Sequence, residues 1–277
     1  MIFFQICKVF MQRRIITIAG NTARDVMRQG LFCLIAGGGI ALMLCSFFFT
    51  LFAFGEESRM IQEMGISTIA VCCLCLASLS AANTISRDVE KGTMMMLLSK
   101  PVDKFSVVLG KFFGILAAVS LVFTAMGIIL TIALCVRESF DHQTGFLSSF
   151  TQIGSSTVFR LAFSFVPVVI MCAVATAGSV WLGMIPNLCC CIVIYIVGNL
   201  ASFFQAVFPS ATNWSSWYLS PIFIFFPNLE EFSTIGMGGK FETLSFYYVT
   251  ALMIYAVLYI AFVITLAIKF FDRKECR

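Results

Sequence analysis

Charge is what this sequence has least of. Only 12% of its 277 residues are Asp, Glu, Lys or Arg, about half the share of an ordinary soluble domain. A chain so poor in charge and 60% apolar cannot cover a globule with polar surface, which excludes the soluble, disordered and coiled-coil classes. The net charge of +4, from 18 basic and 14 acidic residues, leaves no polyanion footprint, so no nucleic acid is expected as a partner. Histidine occurs once, as His142 beside Asp141. No HExxH zinc helix can be built from one histidine, and a Ser/His mechanism would have to run through that position. The phosphate-binding pattern Gly-x-x-x-x-Gly-Lys-Ser/Thr is missing as well. Any ATP that powers this protein is therefore bound by another polypeptide, and no cofactor is expected in this chain. With no catalytic constellation, the chain is not expected to be an enzyme.

Long apolar runs are abundant. Crossing the hydrocarbon core takes about 20 residues, and residues 31–54, 65–83, 112–136 and 246–268 each supply such a run. Residues 161–208 hold no charge over 48 positions, about the length of two crossings, with Gly183 and Pro186 offering a turn between them. Met1 to Phe10 is too short an apolar run for a cleavable signal, and its Arg pair follows rather than precedes it. The first long run is then its own insertion signal.

The basic residues orient these runs, because short cytoplasmic segments collect Lys and Arg. Lys8, Arg13, Arg14, Arg24 and Arg28 lie before the first run; Arg87, Lys91, Lys100, Lys104 and Lys111 follow the second; Lys269, Arg273, Lys274 and Arg277 form the tail. These 14 of the 18 basic residues place all three segments inside, and only an even number of spans does so. Glu56, Glu57, Glu63, Glu138, Asp141, Glu230, Glu231 and Glu242 collect in the segments left outside. The expectation is an all-α polytopic membrane protein with both termini cytoplasmic. Residues 1–30 would form a cytoplasmic interfacial helix, and residues 31–277 a six-span domain with spans near 31–54, 65–83, 105–136, 158–180, 187–208 and 246–268.

Lys111 and Arg160 are the ionisable residues nearest the spans, both close to span ends where long side chains snorkel, which argues against an ion-coupled mechanism. Cysteine is plentiful, at 12 residues. The clusters Cys72, Cys73, Cys75 and Cys189, Cys190, Cys191 fall inside predicted spans and lack a second pair at ligand spacing. They read as small apolar packing residues, not as metal ligands.

Two cytoplasmic elements carry more information. In residues 12–29, Ile15, Ala19, Ala23, Val26 and then Gly30 line one face of a helix, while Arg14, Asn21, Arg24, Asp25 and Arg28 occupy the other. Such a helix lies in the membrane plane with its arginines toward anionic headgroups, and serves as an anchor or as a contact surface for a cytoplasmic partner. Between the second and third runs, Ile85 and Val89 prolong the helix past the headgroups. Gly92 permits a sharp break, Thr93 can cap a short helix over residues 94–99, and Pro101 stops it. Met94, Met95, Met96, Leu97 and Leu98 are costly to leave in water and need a partner, lipid or protein.

The string Arg87-Asp88-x-Glu90-x-Gly92-Thr93, then Leu97-Leu98-Ser99-x-Pro101 and Gly110-Lys111, resembles the signature of permease subunits of type-2 ABC exporters. Ile18-Ala19-x-Asn21-Thr22-x-Arg24 is similar to that family's interfacial helix, and Pro227-Asn228-Leu229-Glu230-x-Phe232 to its last outer loop. Asp88 stands where the family usually has Glu, and Asp103-Lys104 where it has Ser-Arg. The resemblance implies that Glu90, Gly92, Thr93, Leu97, Leu98 and Pro101 form the coupling helix that docks on a separate ATPase subunit. It further implies a second permease protomer, the same or a homologue, an ATP-driven export activity, and a bacterial inner membrane as the setting. The rival reading is a non-transporting membrane anchor that recruits a cytoplasmic partner. Pro209 to Ser245 would form a re-entrant or interfacial helix pair, with Trp214, Trp217 and Tyr218 at headgroup level. The substrate is not legible.

Overall fold

The structure, a computed structural model, describes residues 2–49, 57–90, 104–141, 154–200, 226–235 and 246–275. Every element among them is a helix: α1 (Ile2–Met27), α2 (Gly30–Phe49), α3 (Glu57–Glu90), α4 (Lys104–Asp141), α5 (Ser155–Gly178), α6 (Met184–Asn199), α7 (Glu230–Ile235) and α8 (Phe246–Glu275).

Four helices are long and apolar enough to cross a membrane: Arg59–Thr84 in α3, Phe105–Arg137 in α4, Ser155–Gly178 in α5 and Tyr247–Lys269 in α8. They match four of the six expected spans. The other two take less simple forms. The first, α2, passes the same test only jointly with α1, from which it turns by 66°. The expected 187–208 span appears as the 16-residue α6, and residues 201–208 lie outside the described residues. The chain is thus an integral, multi-pass helical membrane protein.

Helix ends follow local chemistry. α3 contains 34 residues, about 51 Å at 1.5 Å per residue, so it outruns a hydrocarbon core of about 30 Å. It continues to Glu90, as Ile85 and Val89 led one to expect. α4 likewise continues to Asp141, five residues past the expected end at 136. After α5, the Leu182 N–H donates to the Gly178 carbonyl at 2.9 Å and the chain reverses. Extended Gly183 precedes α6, and Pro186 falls in the first turn of that helix, where its missing N–H breaks no ladder bond.

The centre of the molecule is the α3–α4–α5 group. On α3, Ile69, Cys73, Ala77 and Ala81 are all at most 1% exposed and recur every four residues, a stripe of mostly small side chains that admits neighbouring helices closely. Ile115, Ala118, Val122 and Met126 form the answering stripe on α4, and Ile170, Cys172 and Ala173 the one on α5. α2 packs on α3, α6 on α3 and α5, and α7 and α8 on α5.

Candidate functional site

The end of the bundle at which α3 ends and α4 begins is the first region to consider. Glu90 is the last residue of α3. Gly92, Thr93, Leu97, Leu98 and Pro101 lie outside the described residues, as does the side chain of Glu90, so the short helix expected there is not described. The frame around it is. Lys111, 6% exposed, reaches across from α4 and donates from Nζ to the Thr84 carbonyl at 3.3 Å. Asn83 Nδ2 donates to Gln29 Oε1, in the α1–α2 bend, at 3.3 Å. Three chain segments far apart in sequence are therefore tied together one to two turns before Glu90.

α1 completes this corner, and its packing on α4 is the most extensive pairing among the described helices. The contact explains the Gly110 of the Gly110-Lys111 pair. A Cβ on Gly110 would lie 2.8 Å from Ile18 Cγ2, and one on Gly114 would lie 2.7 Å from the Ala19 carbonyl oxygen. Only glycine lets the backbones approach so closely. The stripe expected on α1 is thus seated on protein, with Thr22, Ala23 and Val26 buried. Gly30 is not on that stripe: α1 ends at Met27 and Gly30 opens α2 across the bend. Arg24 and Arg28 are exposed, while the Arg14 side chain lies outside the described residues.

The opposite end of α3 carries a polar cluster that sequence reading missed. Arg160 of α5, 9% exposed, donates from Nη1 to Gln62 Oε1 of α3 at 2.7 Å. Gln62 Nε2 donates back to Thr157 Oγ1 at 2.8 Å. Glu63 Oε1 lies 4.0 Å from Arg160 Nη2 and 3.3 Å from Arg59 Nε. Snorkelling was the expected fate of Arg160. Instead its guanidinium is held by an amide across 98 residues of chain, satisfying both groups where water is scarce. Gln62, an uncharged polar residue one turn into a span, was the available signal.

The Pro227–Phe232 stretch forms the third feature. Leu229 and Phe232 are buried, and the Leu229 N–H donates to the Gly198 carbonyl at 3.1 Å. Gly198 permits this, since a Cβ there would lie 2.7 Å from the Pro227 carbonyl oxygen. Tyr248 of α8 donates to Glu231 Oε2, and Glu230 and Glu231 sit in the first turn of α7, where the helix dipole favours negative charge. This loop closes the end of the α5–α6–α8 packing. His142 and Pro209 to Phe225, including the aromatic residues expected at headgroup level, lie outside the described residues.

The buried cysteines fill space between helices. Cys72 Sγ occupies ground 2.7 Å from where a Cβ on Gly39 would be, and Cys73, Cys172 and Cys191 are within 2% of full burial. Among the described residues no three His, Cys, Asp or Glu side chains are grouped so as to hold a metal ion.

A family model described as "ABC-2 family transporter protein" matches residues 18–276, which takes in the last ten residues of α1 and every later helix. No curated protein matches the chain.

Proposed function

We propose, from the premise that the chain belongs to the ABC-2 transporter family, that this membrane permease couples ATP hydrolysis by a separate cytoplasmic ATPase subunit to export of a substrate. Glu90, Gly92, Thr93, Leu97, Leu98 and Pro101 form the docking element. ATP, the only cofactor of the system, stays on the partner. Two protomers, identical or homologous, face each other across the pathway in a bacterial inner membrane. Six spans and two cytoplasmic termini place Arg14, Arg24 and Arg28 of α1 at the headgroups of the inner leaflet, with residues 1–30 as the interfacial element and 31–277 as the transmembrane domain.

The observation that carries this reading is the continuity of α3. One uninterrupted helix joins Glu90 to the Arg160–Gln62 cluster at its far end. Closure of the ATPases moves the docking element, and a rigid helix passes that movement to the opposite membrane face without loss in a bend. The work comes from ATP binding the two conformations unequally. Lys111 of α4 holds the Thr84 carbonyl of α3, so the push acts on α3 and α4 together.

The test is reconstitution with an ABC ATPase encoded beside this chain. Wild-type protein co-purifies with it and raises its ATP turnover. Glu90→Ala combined with Leu97→Ala leaves insertion intact and removes the stimulation. Stimulation equal to wild type in that double variant sinks the coupling assignment. The topology is checked by labelling a cysteine introduced at Asp141, which reacts from outside the cell; reaction from the cytoplasm alone overturns it.

A further inference from the structure

Helix α6 is seated more lightly than the helix it follows. Three of its 16 residues are buried, Asn187, Cys191 and Gly198, against half of α5. Those three follow one another at steps of four and seven, so they form a single narrow stripe. A hydrogen bond pins each end of that stripe. At one end the Gly198 carbonyl accepts from the Leu229 N–H at 3.1 Å. At the other, Asn187 Nδ2 donates to the Ser78 carbonyl of α3 at 3.0 Å and to the Ala175 carbonyl of α5 at 3.3 Å.

The two pins are unequal. Asn187 Oδ1 is buried without a hydrogen-bond partner, set against Gly178, where an added Cβ would lie 2.4 Å from it. An unmatched buried acceptor offsets what the Nδ2 bonds contribute, so the Asn187 amide fixes where α6 sits while holding it there only weakly. α6 also has room to move. α6 and α8 both pack on α5 and scarcely touch each other, and a cavity of about 660 Å³ separates them. Val174 and Ala177 of α5, Val193 and Ile194 of α6, and Phe262 and Val263 of α8 are among its lining. These surfaces are apolar, so their meeting strands no further polar group.

We infer that α6 is a latched arm: released at Asn187 from the Ser78 carbonyl, it turns about its Gly198 end and closes the gap onto α8. Gly183, immediately before α6, is the joint at the end that moves. Asn187 is the positioning residue of this device, since it alone decides on which side of α5 the arm rests. Ser78 lies on the same unbroken helix as Glu90. A shift of α3 along its axis withdraws the Ser78 carbonyl from Asn187 and frees the arm, which carries the movement of α3 on to α6. That last step rests on the permease reading; the arm itself does not.

The experiment uses the full chain in lipid nanodiscs, with pairs of spin labels carried on p-acetylphenylalanine so that the native cysteines stay, and reads distances by double electron–electron resonance. One pair, at Ile185 and Thr265, reports the latch end of α6 against α8; the other, at Ile196 and Ile254, reports the Gly198 end. All four positions are exposed. Asn187→Leu keeps the branched shape and removes the latch. It raises the ratio of short to long Ile185–Thr265 distances about two- to ten-fold, the range for one hydrogen bond, and leaves the Ile196–Ile254 distance unchanged. Asn187→Ala, which cannot overpack, gives the same shift. Adding Val263→Trp fills the gap and abolishes the short distance. An Ile185–Thr265 distribution that both Asn187 variants leave unchanged, or a short distance that survives Val263→Trp, overturns the arm. With the ATPase bound, ATP raises the short distance in the wild-type chain; ATPase stimulation without that rise overturns the link from α3 to α6. The Asn187→Leu shift without any ATPase stimulation by the wild-type chain overturns the permease reading and leaves the arm standing.

Discussion

The α3–α4–α5 group and α8 are apolar to a similar degree, yet they are built for different neighbours. In the first, half or more of each spanning segment is buried inside the protein, at 56%, 50% and 50%; in α8 the share is 17%. Hydropathy does not separate the two, because lipid tails are as apolar as a protein core. Small and polar residues do. α3 carries Ala77, Ser78, Ala81 and Gln62 on its buried side, whereas α8 exposes Met253, Ile254, Val257, Leu258 and Phe262. Association in a membrane rests on close packing and satisfied polar groups, and the two regions differ in just those respects.

The sharpest way to break this comparison is at the α1–α4 seat. Gly114→Leu places a side chain against the Ala19 carbonyl and Thr22, where no flexible neighbour can give way. Backbone shifts of this kind cost about 1–3 kcal/mol or more, and α1 should lift from α4. Limited proteolysis of α1 in detergent reads this directly. Protection equal to wild type would mean that the close approach is not what holds α1.

Next comes the cluster at the far end of α3. Arg160→Leu leaves Gln62 Oε1 buried without its donor, at a cost of about 1–3 kcal/mol. Arg160→Lys, which can restore one donor, should recover part of the loss. Thermal unfolding followed by tryptophan fluorescence measures both. On the coupling reading, Arg160→Leu also weakens transport more than ATPase stimulation, because it severs the outer end of α3 and spares the docking end.

These two sites mark what the sequence withholds. Apolar length located α3, α4, α5 and α8, and helical periodicity carried α3 on to Glu90. The seat of α1 was half visible: its stripe of Ile15, Ala19, Ala23 and Val26 showed that one face is special, and the Gly110-Lys111 pair stood out as a motif. Nothing joined them, since a helix face does not name its partner. Arg160 was noticed as a charge near a span end, but its partner Gln62 is 98 residues away, and a contact at that separation leaves no local pattern. Asn187 of α6 sits in an uncharged run beside three cysteines, where its polarity was the only sign that its Nδ2 donates to the Ser78 carbonyl of α3 and the Ala175 carbonyl of α5. The segment proposed to dock on an ATPase shows the reverse case: its residues were conspicuous in sequence, and residues 91–101 fall outside the described residues.

The smallest expected effect tests the comparison most directly. Ile170 on α5 is fully buried and Leu258 on α8 is 65% exposed. In water-soluble proteins truncating such a side chain to Ala costs about 2–5 kcal/mol, part of it transfer from water and part the cavity left behind. In a bilayer the transfer part vanishes for both positions, because the side chain exchanges protein for lipid. Ile170→Ala still leaves a void that its packed neighbours cannot fill, and should destabilise by about 2 kcal/mol. At Leu258 the lipid simply closes in, so Leu258→Ala should cost no more than about 0.5 kcal/mol, within the range of substitutions that touch nothing specific. Unfolding of the two variants in the same bicelles decides the matter. A cost at Leu258 approaching that at Ile170, present in the assembled complex and absent in the isolated chain, would mean that α8 is packed after all, against a second protomer and not against lipid.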